Sequence, residues 1–106
     1  MEIREAYELS LKLWIWLFKN PGKWKEDSPY YYEIESLINE CPLCEIYILD
    51  CLNGTTGCAG DMGCGCFNSA YCYWAGEARK SAAAYIASKI RRYMIKQGWH
   101  TKELLK

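Results

Sequence analysis

Seven cysteines, Cys41, Cys44, Cys51, Cys58, Cys64, Cys66 and Cys72, crowd the middle of a 106-residue chain. Thiolates are soft ligands, and their chemistry depends on how many can reach one centre. Cys41-Pro42-Leu43-Cys44 offers two from one tight turn, which suits half of a tetrahedral zinc site with ligands at ~2.0–2.3 Å. A second pair is available among Cys51, Cys58, Cys64 and Cys66. Sets of four cysteines also hold iron–sulfur clusters, and the spacing leaves that alternative open. A disulfide framework is the third reading. Against it, seven is an odd number, and Met1-Glu2-Ile3-Arg4-Glu5 lacks the basic-then-apolar layout of a secretory signal. Cys72, set between Tyr71 and Tyr73, reads as a packed apolar residue. Cys64 and Cys66 are separated by one residue and compete for the same metal. The single histidine, His100, reads as a surface residue.

Around these cysteines the charge is partitioned. The net charge of zero is the sum of +2 over residues 1–25, −9 over 26–78 and +7 over 79–106. Between 26 and 78 there is no Lys or Arg, so no cysteine has a basic sequence neighbour that would depress its pKa and make it a nucleophile. No Ser/His/Asp grouping or phosphate loop accompanies them, and a four-thiolate zinc site is closed and structural. An enzyme is not expected. No apolar run reaches the roughly 18–20 residues that span a bilayer, and the expected location is the cytoplasm.

The elements that must position the cysteines are helical. Ile3, Ala6, Tyr7, Ser10, Leu11, Trp14, Leu17 and Phe18 recur at helical spacing over residues 1–20, with Leu9, Leu13 and Trp16 on the flank. So wide an apolar arc is covered by two other elements or contributes to a homodimer. Asn20-Pro21-Gly22 stops that helix. Ser28-Pro29 reads as an N-cap and first helical position, starting a second helix over 28–40 with Tyr30, Ile34, Leu37, Ile38 and Cys41 at helical spacing. If this segment is helical, at least one ring of Tyr30-Tyr31-Tyr32 is exposed. Residues 45–52 fit either a short strand or an irregular helical turn. Residues 53–66 contain five Gly and three Cys with no hydrophobic period, so an added centre must order them. The last helix, over 77–97, ends at Gly98 and buries Ala82, Ala83, Ile86, Ile90, Tyr93 and Met94. The expected fold is a single, mainly α domain over 1–106, with a Cys-rich, Gly-rich zinc-knuckle loop at 41–74.

Cys41-Pro42-Leu43-Cys44, followed by Cys66-x4-Tyr71-x2-Trp74, resembles a group of small cysteine-rich proteins encoded by phages and prophages. In that group a Trp-bearing N-terminal helix, matched here by Trp14, precedes the first cysteine pair. The resemblance spans residues 7–75. It departs at the second pair, where Cys51 and Cys58 have six intervening residues rather than two, and at Ser69-Ala70, which stands for Thr-Pro. The resemblance implies a phage origin and a metal knuckle, not a reaction. Spacing and resemblance together select Cys41, Cys44, Cys58 and Cys66 as ligands, with Cys51 and Cys64 in reserve.

The last helix also carries a candidate binding surface. Tyr85, Lys89, Arg92 and Lys96 fall on one line, about a third of a turn from the core stripe. A cationic line with an aromatic grips phosphates and stacks a base, although cations near a helix C-terminus also complement the macrodipole with no ligand at all. Nine Tyr and five Trp likewise suit either recognition or the packing of a thin core. The expected function is stoichiometric binding that neutralises a host component, either a protein or a nucleotide second messenger. A DNA- or RNA-binding zinc module is the alternative. The zinc assignment predicts that a chelator melts the domain, read as loss of the far-UV helical signal, because metal binding free energy is then folding free energy. Melting by reductant alone would instead identify disulfides.

Overall fold

The computed structural model describes residues 2–37, 41–43, 46–47, 74 and 79–105. The fold is mainly helical, and the described residues include no strand. Helix α1 runs Ile3–Lys19, a short 3₁₀ helix η1 covers Lys25–Asp27, and α2 is a single turn, Tyr31–Ile34. The long C-terminal helix, α3, spans Arg79–Lys96 and is followed by a 3₁₀ helix, η2, at Lys102–Leu105. Pro42, Leu43, Ile46, Tyr47 and Trp74 also have helical backbone, which favours a helical turn over a strand where the 45–52 segment is described. No helix among the described residues is long and apolar enough to cross a membrane.

Helix α1 is the axis of the core. Ala6, Tyr7, Leu9, Ser10, Leu11, Leu13, Trp14 and Leu17 are all buried along it. Leu9 and Leu13, on the flank of the apolar stripe, are therefore core residues, while Ile3 at the start of the helix is 44% exposed. The wide arc is filled within the chain. Helix α3 covers part of it with Ala82, Ala83, Ile86, Ile90 and Met94. Ile34, Leu43, Tyr47 and Trp74 join the same cluster from the segment between. Each fully buried Leu or Ile contributes about 1.5–3 kcal/mol relative to an exposed one.

The pairing of α1 with α3 is antiparallel. Tyr7 near the start of α1 stacks on Tyr93 near the end of α3, with ring centroids 4.6 Å apart and planes at 20°. At the other end, the Lys80 Nζ lies 5.3 Å from the centroid of the Phe18 ring. This register sets small residues against large ones. Ala6 and Ser10 fall level with the Ile90–Met94 end of α3, and Ala82 and Ala83 fall level with Trp14 and Leu17. Such alternation lets two helices approach without voids. The Ser10 hydroxyl is buried here with no hydrogen-bond partner among the described residues.

The second helix is shorter than its 28–40 sequence reading. Ser28 accepts the Tyr30 amide proton on its Oγ at 3.3 Å, as a cap does, but its carbonyl takes the Tyr31 N–H in a tight three-residue turn. Pro29 thus lies before the helix, and α geometry is confined to Tyr31–Ile34. Beyond Ile34 the chain turns through 35–37, while 38–40 lie outside the described residues. Ile34 is the one residue of α2 that is buried, and Tyr32 is 87% exposed. A helix this short is held by tertiary burial, and one anchor supports one turn.

Both ends of the helical hairpin are closed by local hydrogen bonds. Asn20 donates its side-chain and backbone N–H groups to the Trp16 carbonyl at 2.9 and 3.0 Å, satisfying an end carbonyl of α1. Helix α3 ends in a Schellman motif: the Trp99 N–H reaches the Met94 carbonyl and the Gly98 N–H the Ile95 carbonyl, both at 2.9 Å. Gly98 has φ +79°. The turn returns the Trp99 ring to Tyr93 and Tyr7, at centroid distances of 6.0 and 5.8 Å. A Cβ at Gly98 would meet nothing within 4 Å, so its cost is backbone conformation alone. Gly98→Ala should therefore destabilise by about 1–2 kcal/mol in denaturant unfolding. Gly22→Ala, where space is equally open and φ is not positive, serves as the neutral control.

Candidate functional site

Of the four expected zinc ligands, Cys41 is described, and Cys44, Cys58 and Cys66 lie outside the described residues, as do Cys51, Cys64 and Cys72. Cys41 is half-buried and packs against the core, immediately before helical Pro42 and Leu43, both of which are buried. The first half of the C-x2-C turn is thus seated firmly. Tyr47, four residues beyond Leu43, shares a buried hydroxyl–hydroxyl hydrogen bond of 2.8 Å with Tyr7 of α1. Cys41 brings one thiol of the expected ligand set beside this buried packing. Among the described residues no three His, Cys, Asp or Glu side chains converge.

At the C-terminal end of α1, tryptophans from three separate segments meet. Trp74 lies edge-on to both Trp14 and Trp24, with centroids 5.2 and 5.4 Å away. Two cations enter this cluster. The Arg79 guanidinium lies 4.1 Å from the Trp24 ring centroid and 4.7 Å from that of Trp74. It also donates from Nε to the Pro21 carbonyl at 2.6 Å and from Nη2 to the Lys23 carbonyl. The Lys25 ammonium lies 5.6 Å from the Trp14 ring centroid, and Lys25 as a whole is buried. The planar guanidinium suits this double role, stacking by its face while its edge donates. Sequence reasoning missed the cluster, because Trp14, Trp24 and Trp74 lie far apart in the chain and share no local pattern. The available signal was Trp24 itself, an aromatic between Lys23 and Lys25.

The cluster fixes the start of α3 and with it the direction of the basic surface. Tyr85 is 43% exposed, Arg92 and Lys96 are exposed, and Lys89 is half-buried. The structure brings the first two stripe residues together: the Lys89 Nζ is 5.7 Å from the Tyr85 ring centroid. Arg92 and Lys96 continue the same flank by helical register. The helix contains six Lys and Arg and no acidic residue. Arg4 and Glu8 pair on α1 at 2.8 Å, whereas Lys89, Arg92 and Lys96 form no ion pair with any described residue. His100 is exposed, as its position past the helix end suggests.

Comparison of the chain with protein-family models, with curated proteins and with solved structures gives no match. Function must therefore be argued from these residues themselves. The arginine clamp yields a direct expectation. Arg79→Lys keeps the charge but loses the planar fork, and should cost about 1–3 kcal/mol of stability. In the same variant Trp24 and Trp74 become more accessible to acrylamide quenching. An unchanged unfolding midpoint together with unchanged quenching would show that the clamp contributes nothing.

Proposed function

We propose that this chain is a stoichiometric binding protein whose α3 flank captures a phosphate-bearing nucleotide ligand. The observation that supports this reading is the line of Tyr85, Lys89, Arg92 and Lys96, an accessible ring followed by three cations with no acidic partner among the described residues. The cations would bind phosphate oxygens by charge-assisted hydrogen bonds, and Tyr85 would stack a base. A ring followed by three cations is suited to gripping a phosphate-bearing ligand, so capture is the chemistry this line supports. The resemblance to phage-encoded proteins supplies a setting: a small protein that withdraws a host nucleotide signal, and so neutralises a host response by mass action.

In this reading zinc at Cys41, Cys44, Cys58 and Cys66 is a staple and not a ligand-binding centre. Four thiolates around one zinc carry net negative charge in a segment that is already acidic, and would repel phosphate. The ligand then belongs on α3.

The decisive experiment is native mass spectrometry of the protein incubated with a mixture of mononucleotides, dinucleotides and short oligonucleotides. An adduct on the unmodified chain that is lost in the Arg92→Ala, Lys96→Ala double variant is the expected result. Both residues are exposed, so the double variant should melt within about 1 kcal/mol of the unmodified protein. An oligonucleotide adduct that survives the double substitution, or no adduct with any of these ligands, would sink the reading.

A further inference from the structure

The length of the basic line carries information about the size of what it binds. With a rise of about 1.5 Å per residue, Lys89 lies about 6 Å along α3 from Tyr85, Arg92 about 10 Å and Lys96 about 16 Å. A single nucleotide stacked on Tyr85 brings its phosphate to the nearest cation, Lys89, whose ammonium already lies 5.7 Å from that ring centroid. Arg92 and Lys96 then have no phosphate to meet. A stacked strand advances about 3.4 Å per nucleotide, so the distance from Tyr85 to Lys96 matches about five nucleotides, fewer if the strand is extended.

The line is also bounded at both ends. Toward the N-terminus of α3, Arg79 is committed to Trp24, Trp74 and two backbone carbonyls. Toward the C-terminus the helix stops at the Gly98 turn, and the chain folds back so that Trp99 packs on Tyr7 and Tyr93. The described part of the 26–78 segment offers a longer strand only repulsion, because Glu26, Asp27, Glu33 and Glu35 are exposed there without a basic residue. A uniform nucleic-acid track would continue past the ends of the helix, whereas on this flank the described cations run from Lys89 to Lys96.

From this we infer that the site on α3 is built for a short single-stranded oligonucleotide of two to about five nucleotides, lying lengthwise with one base on Tyr85 and its phosphates on Lys89, Arg92 and Lys96. The inference rests on the nucleotide-binding reading and adds the ligand's length and direction. A free short oligonucleotide and a segment of a longer strand present the same chemistry, and chain length separates them.

The test is isothermal titration of the full-length protein, in low salt, with AMP and with oligothymidylates of two, five, ten and twenty nucleotides. Affinity should rise at least tenfold from AMP to the pentamer and then level off per site, with the twentymer taking up several protein chains. Lys96→Ala should weaken the pentamer about fivefold and leave AMP within twofold, whereas Tyr85→Ala should weaken both and Tyr85→Phe restore both. AMP binding as tightly as the pentamer would overturn the length assignment while leaving the nucleotide reading intact. Affinity that keeps climbing per site beyond ten nucleotides would overturn the bounded site in favour of an open nucleic-acid track. No heat with any of these ligands would remove the nucleotide reading itself, and this inference with it. A far-UV melt of each variant separates lost contacts from lost fold.

Discussion

Among the described residues, the packing is organised around one helix. Eight of the seventeen residues of α1 are buried, too many for a single packing face. Helix α3 therefore covers only part of the circumference, and residues as far apart as Ile34, Leu43, Tyr47 and Trp74 must cover the rest. This requirement explains why the chain between the two long helices, although rich in glycine and poor in hydrophobic periodicity, returns repeatedly to α1. Each return is made by a large side chain. Two of these four, Tyr47 and Trp74, are aromatic, and such rings bring a large buried area per residue.

The partition of charge acquires a physical meaning in this arrangement. The acidic third supplies segments that cover the core, and the basic third supplies the long helix and its accessible flank. Arg79 stands at their junction. Its positive charge is absorbed by indole faces and backbone carbonyls instead of a carboxylate, so it ties the residues just after α1 to the start of α3 without consuming an acidic group. Farther along α3, Lys89, Arg92 and Lys96 form no ion pair with any described residue. A net charge of zero thus conceals a surface with a definite electrostatic direction.

The long helices were legible because they satisfy several rules at once. Over residues 77–97 the apolar period, the absence of Pro and the terminal Gly98 all agree, and every residue assigned to the core stripe packs there, Tyr93 at its half-buried margin. The stripe of α1 was equally clear, but its breadth could not say which segments would fill it. Residues 28–40 misled for a related reason. Ser28-Pro29 is a sound helix start, and Ser28 does accept an amide proton. How far a helix continues depends on tertiary anchors, though, and here there was one, Ile34. The tryptophan cluster was not legible at all. Trp14, Trp24 and Trp74 are joined by contacts across sixty residues of sequence, and no local pattern encodes a cation held by its neighbours' ring faces. The exposed basic line was readable from helical spacing, since it needs only the register of one helix.

The antiparallel stacking of Tyr7 on Tyr93 has a consequence for the order in which the molecule is made. The two rings that meet most closely at this end of the core are separated by more than eighty residues, and the Trp99 ring that closes over them comes later still. During synthesis α1 emerges first with a broad apolar arc and no lid. Its main cover arrives only when α3, about sixty residues further along, has left the ribosome, seconds later at about 5–20 residues per second. Non-local pairing of this kind folds slowly because the loop must close before any contact offsets its entropy. Early returns to α1 by Ile34, Leu43 and Tyr47 would shield the nascent helix during that interval. The middle of the chain thus doubles as a temporary escort for the helix that precedes it.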